Sequence, residues 1–171
     1  GYWGNIIYSK LVSNFNLVTT LNSKDYNPEL LSGNDWAFIA TPSKTHYSIA
    51  EDCLNAGCNI FIEKPFCDSH GQALSLLSLS KRKKLQLYVD NPFIFRDEMK
   101  VIENVLAKKI TFYWYKQGPF NDNLLNDLLY HDLLFLNYKV GFCNLSNLNF
   151  LDVNFENDDN PLPENFGDLT N

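Results

Sequence analysis

A chain of 171 residues has room for one well-buried core, or for one domain and part of a second. Fourteen Lys and Arg against twenty Asp and Glu give a net charge of −6, which argues against a nucleic-acid-binding surface. No apolar run approaches the roughly 20 residues of a membrane span and no signal peptide is visible, so no membrane segment is expected.

The chain opens Gly1-Tyr2-Trp3-Gly4, two glycines three apart, followed by Ile6, Ile7, Leu11 and Val12 on one helical face. This fits the second half of a Gly-x-Gly-x-x-Gly turn, where one glycine lets the backbone approach a pyrophosphate and the later one permits close helix–strand packing. The helix start then receives the anion. The strand that should precede such a turn is missing, so an incomplete natural sequence is expected. Residues 16–21 read as a second strand ending at Asn22, where a side chain would meet an adenosine ribose. A short helix or turn is expected over residues 27–32.

The next stretch organises the rest. Two apolar runs, residues 36–40 and 60–62, each stop at a polar turn containing proline: Thr41-Pro42 and Glu63-Lys64-Pro65. Between them Ala50, Cys53 and Leu54 fall at helical spacing, and Gly57 sits where a helix would end. Strand, helix and strand within about thirty residues form a right-handed parallel crossover, whose ligand crevice lies outside the carboxyl ends of the strands.

A helix is expected over 69–83, with Ala73, Leu76, Leu77, Leu79 and Ser80 as its buried stripe and the basic run Lys81 to Lys84 at its end, where cations suit the helix dipole. A strand over 85–89 and a helix over 98–107 complete the α/β alternation. The pattern then changes. Residues 110–116 form a β-branched and aromatic strand, 124–138 a helix ending near Gly141, and 145–155 an alternating strand, while 156–171 read as a loop. This divides the chain into a dinucleotide-binding Rossmann-like domain at 1–108 and a partial α+β substrate domain at 109–171. Cys53, Cys58, Cys67 and Cys143 show no paired spacing and are read as reduced thiols of a cytoplasmic protein; no metal site is expected.

On the later helix Asp127 and His131 stand four residues apart and share a face, so the carboxylate can fix the imidazole's tautomer as a general base requires. His46 is given a minor cofactor-side role, and His70 is read as a solvated helix start.

Together, Gly1-Tyr-Trp-Gly4, Phe38-Ile-Ala-Thr-Pro-Ser43 with His46, Ala56-Gly57, Phe61-Ile-Glu-Lys-Pro65 and Asp127-x-x-x-His131 resemble the glucose–fructose oxidoreductase/inositol dehydrogenase (Gfo/Idh/MocA) superfamily. The Glu-Lys-Pro turn at this distance after Ala-Thr-Pro is the most specific element. The segment from Gly118 to Asp132 is similar to members acting on nucleotide-linked sugars. The resemblance implies an oxidoreductase that moves a hydride between NAD or NADP and a hydroxyl carbon of a sugar or nucleotide-sugar. By that pattern Gly1, Tyr2, Trp3 and Gly4 would belong to the pyrophosphate turn, with Asn22 at the ribose. Thr41, Pro42, His46, Glu63 and Lys64 would lie on the cofactor side. Lys64 would hold or protonate the substrate oxygen, His131 would take the hydroxyl proton, and Asp127 would orient it.

Leu129 stands where the family commonly has glycine, and family members are roughly twice as long. A homo-oligomer formed through the second-domain sheet is implied as well. The alternative is a catalytically silent dinucleotide-binding or scaffold protein of the same fold. A second enzyme reading keeps the cofactor but uses transient oxidation to assist elimination or glycoside cleavage.

Overall fold

A computed structural model describes residues 2–15, 19–102, 112 and 124–140. At its centre are three parallel strands in the order β1-β2-β3: β1 (Trp36–Ile39), β2 (Asn59–Ile62) and β3 (Leu87–Val89). Ile39 pairs with Ile62 and Ile62 with Val89, so all three strands end on one level. The parallel crossovers are made by helices α2 (His46–Ala56) and α3 (His70–Lys83). This is part of a Rossmann-type α/β fold, as the residue pattern implied.

Local chemistry explains the boundaries. Helix α2 ends because Gly57 adopts φ 93°, a left-handed conformation that costs glycine little, and its N–H caps the carbonyls of Cys53 and Leu54. Helix α3 begins because the Ser69 side chain accepts a hydrogen bond from Gln72 N–H, and its last turn carries Lys81, Arg82 and Lys83. Asn59 fastens the sheet's lower end by donating from its amide to Asp35 O (2.9 Å) and accepting from Gln86 N–H (2.8 Å).

Strand alternation splits the sheet into two faces. Ile39, Ile60 and Ile62 pack beneath Ala50, Cys53 and Leu54 of α2 and Leu76 of α3, forming the core. On the other face Phe38, Phe61 and Tyr88 stand in one row, with ring centroids 5.4 and 5.1 Å apart. Within α3, Leu76 and Ser80 are buried and Ala73 and Leu79 half-buried, but Leu77 is 40 % exposed and does not belong to the expected stripe. Cys53, Cys58 and Cys67 are free thiols; Cys143 lies outside the described residues.

The expected second strand is not formed over residues 19–21, and 16–18 lie outside the described residues. Strands are made by ladders, and among the described residues no strand lies beyond β1 for this segment to pair with. The expected turn at 27–32 is a 3-10 turn, Pro28–Leu31, capped by Asn27. Another such turn, Pro92–Phe95, follows β3 and leads into α4 (Asp97–Ile102).

Helix α5 (Leu124–Val140) forms where the later helix was expected. Of the strand expected at 110–116 only residue 112 is described, and the strand expected at 145–155 and the oligomer contact lie outside the described residues. No helix among the described residues is long and apolar enough to cross a membrane.

Candidate functional site

Because β1, β2 and β3 end in register, the residues that follow them form a row along the carboxyl edge of the sheet. The ladder continues one step past the strands: Glu63 N–H donates to Ile39 O (2.9 Å) and Asp90 N–H to Ile62 O (2.8 Å). Beyond β1, the Thr45 hydroxyl donates to Pro42 O (2.8 Å) and lies 2.9 Å from the Thr41 hydroxyl, fixing the Thr41-Pro42 turn. Beyond β2, Lys64 N–H donates to Glu63 Oε2 (3.2 Å), and the Lys64–Pro65 peptide bond is cis. Thr41 and Pro42 are exposed, while Glu63 and Lys64 are half-buried.

His46 does not face this crevice. It is 1 % exposed, with Nδ1 2.8 Å from Pro65 O and Nε2 2.8 Å from Thr41 O. His46 is thus an internal strut between the two strand-end turns. Its position in the first turn of α2 points the ring inward beneath both. Carbonyl oxygens only accept, so a neutral ring donates to one of them and an imidazolium to both.

Helix α5 meets the same edge. Tyr130 Oη donates to Asp90 O (3.3 Å), and the adjacent His131 ring packs 4.5 Å from Phe93, just after β3. His131 is half-buried. Asp127 lies one turn earlier on α5, as the spacing required, but its side chain is outside the described residues.

Electrostatics concentrate at this edge. Burial holds the Glu63 carboxyl above its ordinary range, and the neighbouring Asp90 adds to the effect; burial likewise raises Asp90. The Tyr130 phenol is pushed up to about 12, first by burial and then by the charges of Asp90, Tyr88 and Glu63. Sequence reasoning passed over Asp90 and Tyr130. The available signal for Asp90 was that it ends β3 as Glu63 ends β2.

The groups at the strand tips fit the nicotinamide end of a dinucleotide: an exposed hydroxyl, a proline, a carboxyl and an ammonium converge from two turns braced by one buried ring. The phosphate end is less built. Gly4 lies inside helix α1 (Tyr2–Leu11) and not in a turn ahead of it, because the helix already begins at Tyr2. A Cβ placed on Gly4 would meet nothing within 4 Å, so the expected close helix–strand approach is not made there among the described residues. Tyr2 and Trp3 are exposed, and Gly1 lies outside the described residues. Asn22 is committed locally, donating to the Asp25 carboxylate and accepting from Lys24 N–H (2.9 Å).

Residues 10–91 match the oxidoreductase family with an NAD-binding Rossmann fold, Gfo/Idh/MocA. Over that segment the chain is similar to the Rossmann domain of the family. An uncharacterized oxidoreductase of Schizosaccharomyces pombe is 41 % identical over 51 residues, which is 30 % of this chain and 14 % of that protein. The UDP-N-acetylglucosamine 3-dehydrogenase of Acidithiobacillus ferrooxidans is 35 % identical over 60 residues, 35 % of this chain and 19 % of that one.

A solved structure from Klebsiella pneumoniae superposes with a TM-score of 0.67 at 22 % identity, covering 82 % of this chain and 49 % of that one, which shows the shared fold. These matches span well under two thirds of each relative's length. The strand-end turns at Thr41-Pro42 and Glu63-Lys64-Pro65 both fall in the matched segment, whereas α5 follows it.

Proposed function

We infer that the protein transfers a hydride between NAD or NADP and a hydroxyl carbon of a sugar, with a nucleotide-linked sugar as the favoured substrate class. The observation that carries this reading is the docking of α5 on the strand tips through Tyr130 and Asp90, which brings the helix of His131 to the edge that holds Lys64. The likeness to a UDP-N-acetylglucosamine dehydrogenase supports the nucleotide-sugar class.

In this reading Thr41, Pro42 and Glu63 hold the nicotinamide end of the dinucleotide. The N-terminal end of α1, which begins at Tyr2, is assigned to its phosphates. The cofactor, when bound, supplies the hydride acceptor or donor. Lys64 donates to the substrate oxygen and stabilises the negative charge that develops there during oxidation. His131 accepts the hydroxyl proton, with Asp127 fixing its tautomer. The 1–108 segment acts as the cofactor domain and 109–171 as part of the substrate domain.

The deciding experiment is titration of the protein with NADH and NADPH, followed by fluorescence energy transfer from tryptophan. Saturable binding of either supports the reading, and absence of binding to both removes it. A silent dinucleotide-binding or scaffold role is the second reading, favoured by α1, none of whose residues is buried. A Lys64→Ala variant that keeps full biological activity would select it.

A further inference from the structure

Glu63 and Asp90 occupy equivalent places on neighbouring parallel strands, each the first residue beyond the paired Ile62 and Val89. The bond from Asp90 N–H to Ile62 O, 2.8 Å long, holds the two strand tips abreast. Strand alternation directs both side chains to the face of Phe61 and Tyr88, so the two carboxyl groups stand side by side on neighbouring strand tips. Two carboxylates cannot donate to each other, so a hydrogen bond between such neighbours requires one shared proton. Glu63 Oε2 in turn accepts Lys64 N–H (3.2 Å).

We propose that Asp90 is a positioning residue, which holds Glu63 through one shared proton and thereby fixes the backbone turn that presents Lys64. The proposal rests on the reading of Lys64 as the substrate-facing group. With the proton in place the pair carries one negative charge and a hydrogen bond joins the strand tips. Once the proton is lost, two like charges side by side replace that bond, and the turn loosens.

The groups facing the pair are Lys64, whose charge favours ionisation of Glu63, Tyr88 of β3, and Tyr130 of α5, with His131 next along that helix. Tyr88 and Tyr130 are both pushed upward, first by burial and then by the charge on Asp90, so they stay neutral while the pair titrates. The pair titrates as a unit, in two macroscopic steps.

The test is carbon-13 NMR of the full chain labelled at its Glu and Asp carboxyl carbons, with no cofactor added, while the Lys64 amide is followed in the same samples. The expected result is a Glu63 titration displaced above the ordinary value of about 4.3, tracked by the Lys64 amide shift. In Asp90→Asn the amide donates without a titrating proton, so Glu63 should move down toward the ordinary range and the Lys64 amide should lose the upper transition.

A Glu63 that titrates normally in the unmodified chain, or that ignores Asp90→Asn, overturns the proposal. Should that variant fail to fold, Glu63→Gln gives the converse measurement: with one titrating carboxyl left, the Lys64 amide must lose its upper transition, and persistence of that transition refutes the coupling. Because these readouts need no dinucleotide, failure here is separable from failure of cofactor binding.

Discussion

The imidazole of His46 lies 2.8 Å from the carbonyl oxygen of Pro65, nineteen residues further along the chain and on the far side of β2. The other ring nitrogen meets Thr41 O at the same distance, so one buried side chain sets the spacing of the two turns that bracket the crevice. The pair of turns is thus a single unit braced by one buried ring.

Replacement of His46 by alanine should leave both carbonyls without their ring partner inside the protein. Each such orphaned group costs about 1–3 kcal/mol, so a loss of about 2–4 kcal/mol is expected in urea unfolding. Dinucleotide affinity should fall as well, because the turns are no longer held together. His46→Asn, with a shorter side chain and only one carbonyl within reach, should recover part of the stability and little of the affinity.

Lys64→Ala should reduce hydride transfer by about a hundredfold or more, the usual size of losing one group that stabilises charge in the transition state. Circular dichroism should be unchanged, since the half-buried Lys64 side chain lies outside the core. Lys64→Arg should keep the charge but misplace the donor, giving an intermediate rate in steady-state assays with a nucleotide-linked sugar.

Both Glu63 and Asp90 are raised above their ordinary values, with burial the leading cause for each. The unfolded chain therefore loses these protons first, near pH values of about 4, and the folded chain holds them to higher pH. Stability from this source is present at low pH and lost as pH rises through the raised folded values. Asp90→Asn removes one of the opposed charges. Its melting temperature should exceed that of the unmodified chain near neutral pH, and the gap should narrow toward about pH 4; thermal melts across that range check the sign.

The thiols should divide by accessibility. Cys53 is fully enclosed and its pKa is pushed up to about 12 by burial, then by the neighbouring Cys58 and Asp52. Cys58 is equally enclosed and donates to Leu31 O at 3.2 Å. Neither should react with a thiol reagent at neutral pH in the folded protein, and both should react at once in urea, with mass spectrometry of the digested chain assigning the sites.

What could be read without coordinates was whatever is local. Ala50, Cys53 and Leu54 repeat at helical spacing and Gly57 stops the helix, so α2 was legible from its own residues, as was the strand-end position of Thr41-Pro42 and Glu63-Lys64. Leu77 was misplaced because an apolar letter beside a stripe says nothing of which side of that stripe it occupies. The orientation of His46 was illegible for a different reason, since its partners are backbone atoms of two separate turns. The meeting of Glu63 with Asp90 depends on the alignment of strands joined through α3, which no local pattern encodes. The segment around residue 20 failed as a strand because strand formation requires a neighbour as well as suitable residues.

The common level at which Ile39, Ile62 and Val89 end carries a consequence for how this sequence can change. Successive residues of a strand point to opposite sides, so dropping or adding a single residue within β2 would turn Glu63 and Lys64 over relative to Thr41 and Asp90. Many substitutions along the crossovers leave that alignment intact, while one misplaced codon breaks it. Length variation in this region should therefore be tolerated in the loops before the strands begin and refused between the strands and their tips.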